Sequence, residues 1–386
     1  MNTQPDMTPS DSPIDYNKAQ QILTTSTGDP CYLYKDSLLV ELIGRRRVAS
    51  TSSINGGTRT DIRYLFNHSC SQRREVREKI NCVMQENNLR EYYEGLCTGL
   101  GLPLEHTVGM STAAKVENYG VATRRKYDVE VSVIATAGID VNAGRAGDKA
   151  TYDEFAHANI IPSPGTINMM LFINARLDSG ILTRAIVTAT EAKTVVTQEL
   201  MAASKYSEGI ATGSGTDTIA VVGNEESSRE LFDAGKHVLL GEMIGEASIE
   251  ALRIALEKQS GMTPHRQASI EWQGVRYGIT RQSIAEAYHT LYNQPLPKEV
   301  EHKWLDEMLR DNRWLGITAA TLHLCDQNRW GMISETTLAE VAKVNRDLVN
   351  GHVWSEAKTK ECNYKEVITQ LVELMAQYLH SKTHEA

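Results

Sequence analysis

Cysteine pairing motifs are missing from this chain: Cys31, Cys70, Cys82, Cys97, Cys325 and Cys362 are scattered over 386 residues with no CxxC. A chain this long builds a core without disulfide staples, so these read as reduced thiols. There is no HExxH and no paired-histidine spacing, which speaks against a dedicated zinc site. There is no GK[ST] P-loop and no GxGxxG between a strand and a helix, which removes nucleotide binding of those kinds. No apolar run reaches the roughly 18 residues that span a bilayer, and the N-terminus MNTQPDMTPSDSPIDYNK has no basic stretch leading into an apolar one. We expect no membrane partner and a cytoplasmic location. Basic charge is in deficit, with 40 Lys plus Arg against 49 Asp plus Glu and a net charge of −9, so a phosphate backbone is repelled and nucleic acid is not an expected partner.

With 41% apolar and 23% charged residues, what remains is an ordinary globular composition. Residues 1–31 are rich in Ser, Thr, Pro, Asp, Asn and Gln and are expected to form a flexible tail. Residues 32–260 carry the strand and helix patterns of an α+β layered sandwich with a mixed sheet. LLVELIG (38–44) and VASTSSI (48–54) read as a hairpin leading into the turn Gly56-Gly57. Apolar residues from Val76 to Leu96 predict an amphipathic helix over 71–100. VEVSVIATAG (129–138), NMMLFIN (168–174) and TIAVVG (218–223) read as strands, and 180–202 and 236–259 as helices. All five tryptophans lie beyond Gly261, where the periodicity turns mostly helical. Residues 261–386 are therefore expected to be a C-terminal helical domain that serves assembly or covers the site, with a homodimer as the expected assembly.

The chemistry is expected in the loops at strand ends. TAGIDVNAGRAGD (136–148) places three glycines, Asn142, Arg145 and Asp148 after a strand, where backbone N–H groups can converge on a developing negative oxygen. The alternative is a simple turn. ATGSGTD (211–217) repeats the mixture, and Asp148 and Asp217 are either a base and an orienting acceptor or turn caps. His68 in FNHS and His237 in AGKHVLLGE are candidate bases, or structural histidines. Glu117-Asn118 in KVENYG and Glu191 with Lys193 in TATEAKT belong either to solvated faces or to the site.

Eight blocks in order, TSSINGG (51–57), FNH (66–68), ENYG (117–120), TAGIDVNAGRAGD (136–148), PGTIN (164–168), TATEAKT (188–194), ATGSGTD (211–217) and GKHVLLGEMIG (235–245), resemble the adenosylcobinamide amidohydrolase family over about residues 35–258. Residues 262–386 have no counterpart in it. The resemblance implies hydrolysis of the amide joining a corrin ring to aminopropanol, converting adenosylcobinamide to adenosylcobyric acid. The cobalt-containing corrinoid is then the substrate, and no further cofactor or metal is expected. The base is sought among His68, His237, Asp148, Asp217 and Glu117, in that order. Substrate contacts are sought at Asn55, Gly56, Gly57, Asn67, Asn118, Asn142, Arg145, Gly147, Thr166 and Asn168, and at Thr190, Glu191, Lys193, Thr212, Ser214, Thr216 and Lys236. PGTINMMLFIN is also similar to the ornithine acetyltransferase and aminopeptidase folds that self-cleave at a threonine, so a threonine or cysteine nucleophile stands beside the favoured attack by water. Two further readings stay open: a corrinoid-binding or trafficking protein without hydrolysis, and an amidohydrolase or acyltransferase with another substrate.

Overall fold

The computed structural model describes residues 14–15, 17–70, 89–150, 153, 155, 165–350 and 362–384. The first part of the expected tail, the 71–88 part of the expected helix, Pro164 and Trp354 lie outside the described residues. The chain divides into two compact units, one of residues 1–199 with 211–263 and the other of 200–210 with 264–386.

In chain order the first unit contains β1 (Gln20–Thr24), β2 (Pro30–Tyr34), β3 (Ser37–Glu41), β4 (Arg46–Ser50), β5 (Gly57–Arg59), β6 (Tyr64–Ser69), α1 (Leu89–Leu100) and β7 (Thr107–Thr112). It continues with β8 (Gly120–Lys126), β9 (Val129–Gly138), the short β10 (Ala143–Gly144), β11 (Thr166–Ile173), β12 (Arg176–Leu177), α2 (Ser179–Glu199), β13 (Gly213–Ser214), β14 (Thr218–Asn224), β15 (Glu230–Leu231) and α3 (Leu239–Ser260). Two large sheets result, one ordered β1-β2-β3-β6-β7 and the other β5-β4-β14-β11-β9-β8, beside the two-stranded pairs β10-β13 and β12-β15. Both large sheets are mixed: β6 runs parallel to β7 and β11 parallel to β14, while the remaining neighbours are antiparallel. The unit is α+β, as its patterning predicts.

Strand alternation explains the layering. Leu38, Val40, Leu65, Val108 and Met110 of the five-stranded sheet meet Val48, Ile134, Met170, Phe172, Ala220 and Val222 of the six-stranded one in a shared core. The opposite face of the five-stranded sheet packs Leu39, Tyr64 and Phe66 against Tyr93, Cys97 and Leu100 of α1. Buried Leu182, Ala185 and Ala189 of α2 and Met243, Ala247 and Ala251 of α3 give each of those helices one apolar face.

Two expectations are corrected. The 38–54 segment is not a hairpin, because β3 and β4 belong to different sheets and face each other across the core. The crossing is held by Arg46, whose guanidinium bonds Asp29 at 3.1 Å and 3.1 Å, Asn224 at 2.9 Å and the Thr27 carbonyl at 2.7 Å. Residues 20–31 are not tail but β1 and the start of β2, since the β1–β2 turn delivers Asp29, wholly buried, to that arginine.

The second unit is helical, with α4 (Arg281–Tyr292), α5 (Asn312–Arg329), α6 (Glu335–Asn350) and α7 (Tyr364–Ser381). Capping boxes at Thr280 and Asn363 start α4 and α7, and Asp311 caps α5. Their apolar faces enclose Ile284, Tyr288, Trp314, Leu322, Leu371 and Met375. Residues 200–210, expected in the first domain, belong here. Gln267 donates to the Leu200 carbonyl at 2.6 Å, Arg276 to the Glu208 carbonyl at 2.7 Å, and Arg329 pairs with Glu208 at 3.2 Å. The interior pair of Arg276 with Asp326, two bonds of 2.7 Å, is buried and also receives the Tyr277 hydroxyl at 2.8 Å. Among the described residues, no helix is long and apolar enough to cross a membrane.

Candidate functional site

On β11 the residues facing the other sheet begin with apolar Phe172 and Met170 and end with polar Asn168 and Thr166. The core between the sheets therefore turns polar at the end where β11 and β14 start. Asn168 donates to Asn67 Oδ1 at 2.8 Å and to the Ser111 carbonyl at 3.0 Å, and Asn67 donates to the Thr136 hydroxyl at 2.8 Å. Asn67 and Asn168, expected to touch substrate, are almost wholly buried and bind each other across the two sheets. Thr136 and Ser111 were not singled out by sequence, although Thr136 stands at the inward period of β9.

Above this polar layer, loops from distant parts of the chain meet. β10 pairs with β13, Ala143 opposite Ser214 and Gly144 opposite Gly213, which joins loop 142–148 to loop 211–217. Thr212 reinforces the joint: its hydroxyl accepts the Ala146 N–H at 2.9 Å. Beneath it lies the Lys193–Asp217 ion pair at 2.5 Å, with side chains only 10% and 8% exposed. Asp217 Oδ1 also accepts from Ile167 N at 2.9 Å and Ser214 Oγ at 2.6 Å, and Oδ2 from Ser214 N at 2.9 Å. One carboxylate thereby ties β11, β13 and α2 together. Glycine is required at 213, where φ is +154° and a Cβ would stand 2.3 Å from Asp217 Oδ2 and 2.6 Å from Lys193 Nζ. Thr166 donates to the Thr216 carbonyl at 2.7 Å, and Thr216 Oγ1 to the Gly165 carbonyl at 2.9 Å. Asn142 Nδ2 donates to the same Gly165 carbonyl.

The structure thus brings together Asn142, Thr166, Lys193, Thr212, Ser214, Thr216 and Asp217, with Arg145 and Gly147 on the adjoining turn. Asp148 closes that turn, accepting the Arg145 N–H at 2.7 Å while its own N–H bonds the Arg145 carbonyl at 2.9 Å.

Other candidates are placed elsewhere. His68 follows Asn67 on β6, so it faces the opposite side of the sheet and shares a 2.9 Å hydrogen bond with buried Ser37. Burial pushes its imidazole below the ordinary value, against the opposing pull of Asp36. His237 is exposed in the turn before α3. The start of α3 shares with Val129 an apolar cleft of about 290 Å³, lined also by Phe232, Val238 and Met243. Val129 opens β9 and Gly138 closes it beside loop 142–148; the two ends of that strand are roughly 30 Å apart at the usual strand rise. The expected convergence of His68 and His237 with the glycine loops is therefore not found. Lys236 pairs with Glu191 at 2.6 Å on the surface, and Thr190 bonds its own helix at the Ile186 carbonyl. Glu117 is exposed, and Asn118 donates to Gln259 at 2.9 Å. Asn55 donates to the carbonyls of Leu104 at 2.6 Å and Thr107 at 2.8 Å, with Gly56 and Gly57 exposed beside it. As nucleophiles, Cys31, Cys70 and Cys97 are disfavoured, since burial pushes Cys31 up to about 12, Cys97 up to about 11 and Cys70 upward as well, while Cys82 lies outside the described residues. Among the described residues, no group of three or more His, Cys, Asp or Glu side chains is arranged to hold a metal ion.

A family profile described as adenosylcobinamide amidohydrolase matches residues 22–264. The uncharacterized protein MJ1613 of Methanocaldococcus jannaschii is 33% identical over 253 residues, which cover 63% of this chain and 94% of that protein. Among solved structures, the PH0078 protein from Pyrococcus horikoshii OT3 is 12% identical with a TM-score of 0.29, over 63% of this chain and 82% of that one. A Burkholderia sp. beta-aminopeptidase is 12% identical with a TM-score of 0.30, over 65% and 88%. Likenesses that loose carry no weight for the chemistry. The family match begins within β1 and covers every later strand of both sheets and all the glycine loops described above, and this chain belongs to the adenosylcobinamide amidohydrolase family.

Proposed function

We propose that this protein hydrolyses the aminopropanol amide of adenosylcobinamide to give adenosylcobyric acid. The observation that carries the reading is the meeting of loops 142–148, 165–168 and 211–217 over the buried Lys193–Asp217 pair, inside the segment that matches the family. A large flat substrate must be gripped so that one amide of several meets the attacking water, and positioning of that kind is a major source of rate. Attack on the carbonyl builds an oxyanion; Lys193 supplies positive charge beneath the loops and the glycine-rich backbone supplies N–H donors, the two kinds of group that stabilise such an oxygen. Asp217 holds Lys193 and the 213–217 turn in place. The hydroxyls of Ser214 and Thr216, half-buried and exposed respectively, are within reach of an incoming ligand.

One observation favours a second reading, a corrinoid-binding protein without hydrolysis. Both oxygens of Asp217 are already engaged by donors, and His68 and His237 stand outside the loop cluster. Incubating purified protein with adenosylcobinamide separates the two. Release of aminopropanol together with adenosylcobyric acid supports hydrolysis; tight binding with no aminopropanol under any condition supports the second reading.

A further inference from the structure

The hydroxyls of the joined loops differ in what they face. Thr212 Oγ1 accepts the Ala146 N–H, Thr216 Oγ1 donates to the Gly165 carbonyl at 2.9 Å, and Thr166 Oγ1 donates to the Thr216 carbonyl at 2.7 Å. Among these four side chains, Ser214 alone has its hydroxyl held by a carboxylate, donating to Asp217 Oδ1 at 2.6 Å. The carboxylate is itself fixed, because Oδ1 also accepts the Ile167 N–H and Oδ2 takes Lys193 and the Ser214 N–H. A hydroxyl alone is a weak nucleophile, and the arrangement that activates one is a base at about 2.6–3.2 Å that a third group holds in place. Access is the second requirement. Ser214 is half-buried, its neighbours Gly215 and Thr216 are exposed, and a Cβ built at Gly215 would meet no atom within 4 Å. The hydroxyl therefore stands at the edge of open solvent, while Asp217 lies behind it with 8% of its side chain exposed.

We propose that Ser214 is the nucleophile of the amide hydrolysis and Asp217 its base, so that the reaction passes through a serine ester of the corrinoid acid. The inference rests on the hydrolytic reading above and adds to it the attacking atom. In the first step Ser214 Oγ forms a bond to the amide carbon and the carbon–nitrogen bond breaks. The serine proton passes to Asp217 and on to the departing nitrogen, so aminopropanol leaves as the free amine. In the second step water attacks the ester, its proton passes through Asp217 to Ser214 Oγ as that bond breaks, and the corrinoid acid leaves. The Lys193 ammonium keeps its charge throughout and offsets the oxyanion of each step.

The test follows aminopropanol release from adenosylcobinamide by wild type and by Ser214→Ala, with and without hydroxylamine. Ser214→Ala is expected to lose release by roughly 10³-fold or more while binding cobinamide as tightly as wild type, read from the visible absorbance of the corrin. In the wild type, hydroxylamine is expected to divert the acid product into the hydroxamate with the rate of aminopropanol release unchanged, because the amine competes with water only after the ester has formed. A Ser214→Ala variant that releases aminopropanol within about 10-fold of wild type overturns the inference and leaves hydrolysis standing. So does a wild type that forms no hydroxamate, or forms it only with a matching rise in aminopropanol release. A wild type that releases no aminopropanol overturns the hydrolytic reading along with the inference. Should Ser214→Ala fail to fold, the wild-type trapping experiment decides alone.

Discussion

Replacing Asp217 by Asn changes almost no volume and removes one negative charge from beneath the loops. Four donors reach the native carboxylate: Lys193 Nζ, Ile167 N, Ser214 N and Ser214 Oγ. The asparagine oxygen can still serve the Ile167 N–H and the Ser214 hydroxyl, but its NH2 then confronts the Lys193 ammonium and the Ser214 N–H, donor against donor. Removing one partner of a buried ion pair costs about 3–5 kcal/mol, because the other charge stays desolvated and unpaired. For a unit of this size each kcal/mol lowers the melting temperature by roughly 2–4 °C, so Asp217→Asn should melt about 6–20 °C below wild type. Lys193→Met should cost less, since the carboxylate keeps its other three donors. Combining the two should cost less than their sum, because the double variant leaves no unpaired ammonium. Thermal melts followed by circular dichroism give all three values. The reasoning fails if Asp217→Asn melts within about 2 °C of wild type, or if Lys193→Met proves the more damaging.

Acidification should weaken the fold through His68. Its value is lowered in the folded state, so its contribution is present above the unfolded value near 6.5 and is lost as pH falls from there through the folded value. His68→Gln should flatten the fall in melting temperature below about pH 6.5, and an unchanged profile would refute the assignment. Asp29→Ala should unfold the first unit more readily by about 3 kcal/mol, since it leaves the buried Arg46 guanidinium only the half-exposed Glu226 carboxylate at 3.6 Å as a charged partner; denaturant titration reads this directly. Hydrolysis of adenosylcobinamide should survive chelator treatment, and a requirement for added zinc would contradict a mechanism built on Lys193 and backbone donors. Light scattering of the full chain should give the mass of two copies, with Trp330 (53% exposed) and Met332 (70% exposed) offering apolar contact; a monomer would count against that assembly.

Elements whose alternation was uninterrupted were legible as sequence. Val129–Gly138 and Thr218–Asn224 appear where the apolar period places them, and α2 and α3 appear where helices were expected. β1 was not legible, because QQILT is a half-exposed edge strand with little apolar signal. Strand character also says nothing about the partner: β3 and β4 look like hairpin arms, but Arg46 and Asp29 send them to different sheets. The glycine loops announced themselves by composition, and they do converge. Asn67 and His68 could have been separated without a structure, since neighbours in a strand point to opposite faces and cannot both enter one site. The cross-sheet bond between Asn67 and Asn168 was beyond reach, as it depends on a pairing 101 residues apart.

The excursion of residues 200–210 bears on how the chain is made. Leu200 and Glu208 are synthesised before the residues that hold them, since Gln267 follows Leu200 by 67 residues and Arg276 follows Glu208 by 68. At roughly 5–20 residues per second the ribosome takes about 3–14 s to deliver those partners. During that interval α2 is complete, yet the segment beyond it has no Gln267 or Arg276 to bind. Residues 200–210 therefore gain these partners only when the C-terminal region has been made. A nascent chain stalled shortly after residue 263 should be cut by protease within 200–210, and the full-length chain, with α7 in its core, should resist.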